Sequence, residues 1–155
     1  MKRIDFHLVQ NILKDLGVSN RPVAVIGGFH NGGLKMAKFI KESGCKIAAV
    51  SDDLIGIMDV GGNGGLNIEE LISLRKAGKD FTDLKKDGIK MTKIDFLLRM
   101  EVDLLVPENI KEVLNESNAE DVRAKVVLIS NYRQVTKEAR KIFKEKLIQV
   151  IPVYS

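Results

Sequence analysis

The sequence predicts an α/β fold built on a mostly parallel sheet of about five strands, with helices on both faces and a small hairpin excursion. Short apolar runs recur at Pro22–Ile26, Cys45–Val50, Val102–Val106, Val126–Ile129 and Leu147–Ile151, the pattern of strands buried on both faces of a parallel sheet. Segments with helical spacing alternate with these runs, as βαβ units require. The 155 residues are 45% hydrophobic and 30% charged, a balance that supports one folded domain with a core of its own.

Taken in order, Ile4, Leu8, Ile12, Leu13 and Leu16 repeat at helical spacing before Gly17, which predicts a first helix over 2–16. This helix occupies an N-terminal segment, 1–17, that packs on or extends the main domain, 18–155. The first strand ends in Gly27-Gly28, and a helical pattern opens at Leu34 and closes at Ser43-Gly44. The second strand follows, so the unit is strand, glycine turn, helix, strand, with a right-handed crossover. Glycines 56, 61, 62, 64 and 65 mark a hairpin or excursion. Asn67 then caps a helix that runs to about Ala77, with Glu70 in the capping-box position. A short helix is expected over Thr92–Met100 with Thr92 as its cap, and a last one over Val135–Lys146.

Charge and cysteine content exclude several classes. Lys and Arg number 25 against 21 Asp and Glu, and the cations are scattered without a run of five, so no nucleic-acid groove is expected. No apolar stretch reaches the length of a membrane span and the start lacks the apolar segment of a secretory signal. The single cysteine, Cys45, forms no internal disulfide, which fits a reducing, cytoplasmic setting. Cys45 reads as a small buried hydrophobe and His7 as a surface or packing histidine. No Ser-His-Asp order or nucleophile elbow is present. Asp52 and Asp53 have no third ligand at metal-like spacing. No catalytic residue and no metal site are therefore assigned.

In an open sheet wound in both directions, ligands bind past the carboxyl ends of the strands, where strand order reverses. Here that edge comprises the Gly27–Gly33 loop, Ser51–Asp53, Pro107–Asn109 and Ser130–Tyr132. The loop reads G-x-H-x-x-G, with either Gly27 or Gly28 as its first glycine. The helix that follows offers unpaired N–H groups and a positive dipole end, which suit a diphosphate. His30 stands where the dinucleotide fingerprint has its second glycine and obstructs close approach of a pyrophosphate. Asp52 ends the second strand 19 residues beyond Gly33. That is the position of an acid that accepts from an adenosine ribose and disfavours a 2′-phosphate, so NAD is expected over NADP.

Several segments together resemble one family. Val23-Ala24-Val25-Ile26-Gly27-Gly28-Phe29-His30-Asn31-Gly32-Gly33 is similar, with one residue added, to the VAVQGFGNVG segment in the C-terminal, nucleotide-binding domain of the glutamate/leucine/phenylalanine/valine dehydrogenases. Ala49–Asp52, Gly65–Leu71, Leu105–Pro107, Asn118-Ala119, Ala124–Val127, Thr136–Ala139 and Val150–Pro152 resemble further family segments in the same order. The resemblance implies a Rossmann-type, doubly wound fold over about Leu16–Pro152. It also implies an adenine half-site retained in part through Gly28, Phe29, Asn31, Gly33, Ser51 and Asp52.

Departures fall on the other half. The family's PAA turn is Pro107-Glu108-Asn109 here, and its EGAN turn is Ile129-Ser130-Asn131-Tyr132. In the family a substrate domain carrying the catalytic lysine and aspartate precedes this region. The expectation is thus a stand-alone domain that binds NAD(P) or an adenine nucleotide through Gly28, Phe29, His30, Asn31, Gly32, Gly33, Ser51, Asp52 and Pro107, without catalysis of its own. The alternative is a non-enzymatic scaffold or regulatory homo-oligomer that has lost dinucleotide binding, with His30, Glu108 and Tyr132 as the features in its favour. Tyr132 is expected to fill the space of the dinucleotide's far half. A second copy or a partner chain is expected against the apolar face of the N-terminal helix, Ile4, Leu8 and Ile12.

Overall fold

The computed structural model describes residues 5–15, 23–26, 32–62, 64–84, 86–108 and 114–152. The elements in chain order are α1 (Phe6–Asp15), β1 (Val23–Ile26), α2 (Gly32–Glu42), β2 (Lys46–Ser51), β3 (Gly56–Asp59), α3 (Ile68–Lys76), β4 (Ile89–Thr92), α4 (Ile94–Leu98), β5 (Leu104–Val106), β6 (Val126–Ile129), α5 (Lys137–Glu145) and β7 (Gln149–Pro152). Single 3-10 turns lie at Phe81–Asp83, Ala119–Asp121 and Tyr132–Gln134.

Among the described residues seven strands form one sheet in the order β4-β3-β2-β1-β5-β6-β7. The five strands from β2 to β7 in that order run parallel, and β3 and β4 extend the β2 side antiparallel. The glycine-rich stretch is therefore not a hairpin by itself. Gly56–Asp59 folds back on β2 and pairs on its other edge with Ile89–Thr92. β4 also corrects the expected helix start: Thr92 ends a strand, and Lys93 is the cap of α4. The strand is hard to see in the sequence because it is a short edge. Lys90 and Met91 are exposed, and lysines on an edge strand guard against further pairing.

Each face of the sheet carries its own core. On one side Val9 and Ile12 of α1, Met36 and Ile40 of α2, and Ile68 and Leu71 of α3 pack with Ile47, Val50, Leu104, Val106, Val126 and Leu128. On the other, Leu97 and Leu98 of α4 and Ala139 and Phe143 of α5 pack with Ala49, Leu105, Val127 and Ile129. Alternate residues of β5 and β6 thus serve opposite cores, which is why these runs are apolar throughout. Helices of nine to eleven residues are marginal in isolation; burial of each large apolar side chain, worth roughly 1.5–3 kcal/mol, holds them. α1 commits its apolar face here. Ile12 is 8% exposed within the chain itself, Leu8 packs on the same core, and Phe6 stacks on Phe39 with ring centroids 4.4 Å apart. Ile4 lies outside the described residues.

Across the stretch where they pair, β2 contains one residue more than β1. Ala24 pairs with Ile47 but Val25 pairs with Ala49, so Ala48 is a bulge. Beside it, the Ile47 carbonyl accepts the Leu66 N–H at 2.8 Å. This close approach needs a glycine at 65: its φ is +108°, and a Cβ there would stand 3.1 Å from the Ile47 oxygen and 2.9 Å from Lys46 Cγ. Asn67 caps α3 by accepting the Glu70 N–H, as expected. The Glu70 carboxylate, however, turns away to Lys86 at 3.1 Å instead of closing a capping box.

The helix ends share one device. After α2 the Gly44 N–H bonds Lys41 and the Cys45 N–H bonds Ile40; after α5 the Leu147 N–H bonds Lys144 and the Ile148 N–H bonds Phe143. Both are Schellman ends. Gly44 occupies the left-handed position in the first, whereas Leu147 holds φ +62° in the second.

Two stability predictions follow from these backbone features. Gly65→Ala should lower the unfolding free energy by about 2 kcal/mol, since strain and contact with the β2 backbone add; a urea melt with unchanged midpoint would refute it. Leu147→Gly should raise stability by about 1 kcal/mol, because left-handed backbone penalises a side chain and Leu147, 89% exposed, has little packing to lose. At this chain length that is a melting-temperature gain of roughly 2–4 °C.

Candidate functional site

From β1 the chain passes through α2 to β2 on one side, and the later strands β5, β6 and β7 lie on the other. Strand order therefore reverses at β1, the position past whose carboxyl end open α/β sheets bind their ligands. α2 opens at Gly32, so Gly32 and Gly33 belong to its first turn, where backbone N–H groups lack helical partners. Gly28, Phe29, His30 and Asn31 lie outside the described residues. Ser51, Asp52 and Pro107 stand at the carboxyl ends of β2 and β5, at the predicted edge.

Their environments differ from a simple half-site. Ser51 is 1% exposed, and its hydroxyl has no hydrogen-bond partner among the described residues. Asp52 is drawn into the β2–β3 turn. Its Oδ1 accepts the N–H groups of Leu54 (2.8 Å) and Ile55 (2.9 Å). Its Oδ2 lies 3.7 Å from the Arg75 guanidinium, and the side chain is 4% exposed. Arg75 in turn reaches Asp80 at 3.3 Å and sits 6.0 Å from the Phe81 ring centre. In this arrangement both Asp52 oxygens are engaged within the fold, and the carboxylate serves first to form the turn. Arg75, at the end of α3, carries no sequence signal beyond a basic residue in a last helical turn.

A polar cluster lies past the carboxyl ends of β5 and β6. Glu108, just after β5 and the buried Pro107, accepts the Ser130 hydroxyl at 2.5 Å and the Gln134 side-chain amide at 3.4 Å. The Gln134 amide also donates to Ser130 Oγ at 3.1 Å, and its Oε1 accepts the Ser130 backbone N–H at 2.9 Å. The cluster ties the turn after β5 to the turn after β6. Sequence reading marked Glu108 and Ser130 as departures and missed Gln134, whose role depends on the 3-10 turn at 132–134.

Tyr132 stands in the turn after β6 and is 58% exposed. Asn131 caps the turn by accepting the Arg133 N–H at 2.9 Å, and the Tyr132 ring lies over Arg140, 5.3 Å from centroid to guanidinium carbon. Cys45 is buried at 1% exposure and His7 lies exposed on α1. Among the described residues, no three His, Cys, Asp or Glu side chains gather as a metal site, and no helix is long and apolar enough to cross a membrane. A concavity of 330 Å³ lies at the opposite end of the sheet, beside Ile12, Lys125, Leu147 and Gln149.

Comparison with known proteins agrees with this architecture. The chain is 35% identical over 136 residues to a glutamate dehydrogenase of Aeropyrum pernix, covering 88% of this chain and 31% of that protein. It is 34% identical over 128 residues to a cryptic catabolic NAD-specific glutamate dehydrogenase of Bacillus subtilis, covering 83% of this chain and 29% of that protein. It therefore spans about a third of the length of these curated relatives. The crystal structure of Plasmodium falciparum glutamate dehydrogenase superposes with a TM-score of 0.76 at 19% identity, over 95% of this chain and 33% of that one, which shows a shared fold. Residues 5–155 match the Glutamate/Leucine/Phenylalanine/Valine dehydrogenase family, and to that family the chain belongs.

Proposed function

We propose that this chain is a nucleotide-binding domain of the glutamate dehydrogenase type, a Rossmann-type doubly wound unit that holds NAD or an adenine nucleotide and has no catalytic residue of its own. The observation that carries the reading is the reversal of strand order at β1, with the first turn of α2 opening beside it at Gly32-Gly33. A helix tip at a switch point suits a diphosphate. The NAD-specific glutamate dehydrogenases of Bacillus subtilis and Staphylococcus aureus among the relatives support NAD as the ligand to test. Under this reading Gly28, Phe29, His30, Asn31, Gly32 and Gly33 meet the phosphates, Ser51 and Asp52 border the adenosine side, and Pro107 lies across β1 at the end of β5. Hydride transfer would draw its catalytic groups from residues outside these 155. A cytoplasmic location fits the single buried cysteine.

A second reading, a scaffold that has lost its ligand, is favoured by one observation: the Asp52 carboxylate is 4% exposed and already engaged. A thermal-shift titration separates the two. At a hundred times its Kd a ligand adds about 2.7 kcal/mol of stability, a rise of roughly 5–10 °C for a chain of this size. A rise with millimolar NAD or ADP supports nucleotide binding; no rise with NAD, NADP, ADP or AMP supports the scaffold.

A further inference from the structure

We propose that the surface around Leu147, at the amino ends of β6 and β7, is an isologous contact through which two copies of this chain associate, the Leu147 side chain of each seated in the concavity of the other. The contact is independent of the nucleotide reading and lies at the end of the sheet away from that site. Two separate observations meet there. The first is backbone strain. Leu147 holds φ +62° at the Schellman end of α5, a position that glycine fills without steric cost. It is the only non-glycine residue with positive φ among the described residues, and it is large, apolar and 89% exposed. Packing within the chain therefore does little to offset the strain, and strain held by an exposed side chain points to a contact outside the chain. The second is the concavity of 330 Å³ whose lip Leu147 forms. Its floor is apolar, with Ile12 at 8% exposure, Val126 at 2% and Ile151 beside them, and it has room for one leucine side chain.

A knob and a hole on the same patch fit a second copy of this chain. A two-fold axis sets the patch against its own image, so each knob meets a hole. The charges are complementary in the same way. Asp15 and Lys125, both exposed, stand on the wall of the concavity, and the axis sets the acid of one copy against the base of the other. Lys125 Nζ lies 3.2 Å from Asp103, but its side chain is 67% exposed, and so exposed an ion pair exchanges partners at little cost. The contact is then an apolar anchor in a pocket with charged groups at its rim.

The test is sedimentation equilibrium of the 155-residue chain in the wild type, Leu147→Gly, Asp15→Lys and Lys125→Glu, with circular dichroism verifying that each is folded. Protein concentrations run from about 1 to about 500 μM, the range in which a small interface dissociates. Relief of strain makes the Leu147→Gly monomer the more stable one, so its loss of association is not loss of the fold. The expected result is a reversible wild-type dimer whose Kd rises at least about tenfold in Leu147→Gly, the loss of one anchor side chain. Each charge variant alone associates more weakly than the wild type, because both acid–base contacts of its dimer become repulsive. An equimolar mixture of Asp15→Lys and Lys125→Glu regains association, since the mixed dimer has both contacts restored with their signs exchanged. A wild type that remains monomeric at the highest concentration overturns the proposal. So does a wild-type dimer that Leu147→Gly weakens by less than that factor. A mixture of the two charge variants that associates no better than either alone also overturns it, because the patch then does not face its own image.

Discussion

β1 is only four residues long, yet both of its backbone edges are paired, to β2 on one side and to β5 on the other. The remaining architecture depends on that double pairing. It fixes β1 at the middle of the sheet and sends the chain first to one side and then to the other. The consequence is a reversal of strand order at β1, with helices shielding the sheet on both faces. A parallel ladder of this kind is stable only when covered on both sides, and the two separate cores supply that cover.

The two sides of this edge are held differently. On the β2 side Asp52 holds the β2–β3 turn and faces Arg75. On the β5 side Glu108, Ser130 and Gln134 satisfy one another's acceptors and donors. Polar groups committed in this way resist exchange because each broken bond leaves a partly buried partner unpaired.

Much of the fold was legible in the sequence because two-sided burial imposes an unmistakable pattern. Val126–Ile129 reads as an uninterrupted apolar run and is β6 without adjustment; Asn67 reads as a cap and is one. β4 was not legible, since an exposed edge keeps only half of the apolar signal, and its pairing with β3 spans some thirty residues of chain. The site was legible at the level of position and not of partnership. Ser51, Asp52, Pro107 and Glu108 could be placed at strand ends by counting. The engagement of Asp52 by Arg75, or of Glu108 by Gln134, depends on how turns fold, which no local spacing encodes.

The bulge at Ala48 has a wider reach than its one residue. Pleating sends successive side chains to opposite faces, so an inserted residue reverses the parity of everything beyond it. Ile47 and Val50 join one core and Ala49 the other, which an unbroken count from Ile47 would have inverted. Because Ile47-Ala48-Ala49-Val50 is apolar throughout, either phase would bury it equally well. It is at the polar terminus, Ser51 and Asp52, that the choice of phase acquires chemical meaning. The direction of the strand's polar ending is thus set upstream, by the single extra residue at Ala48.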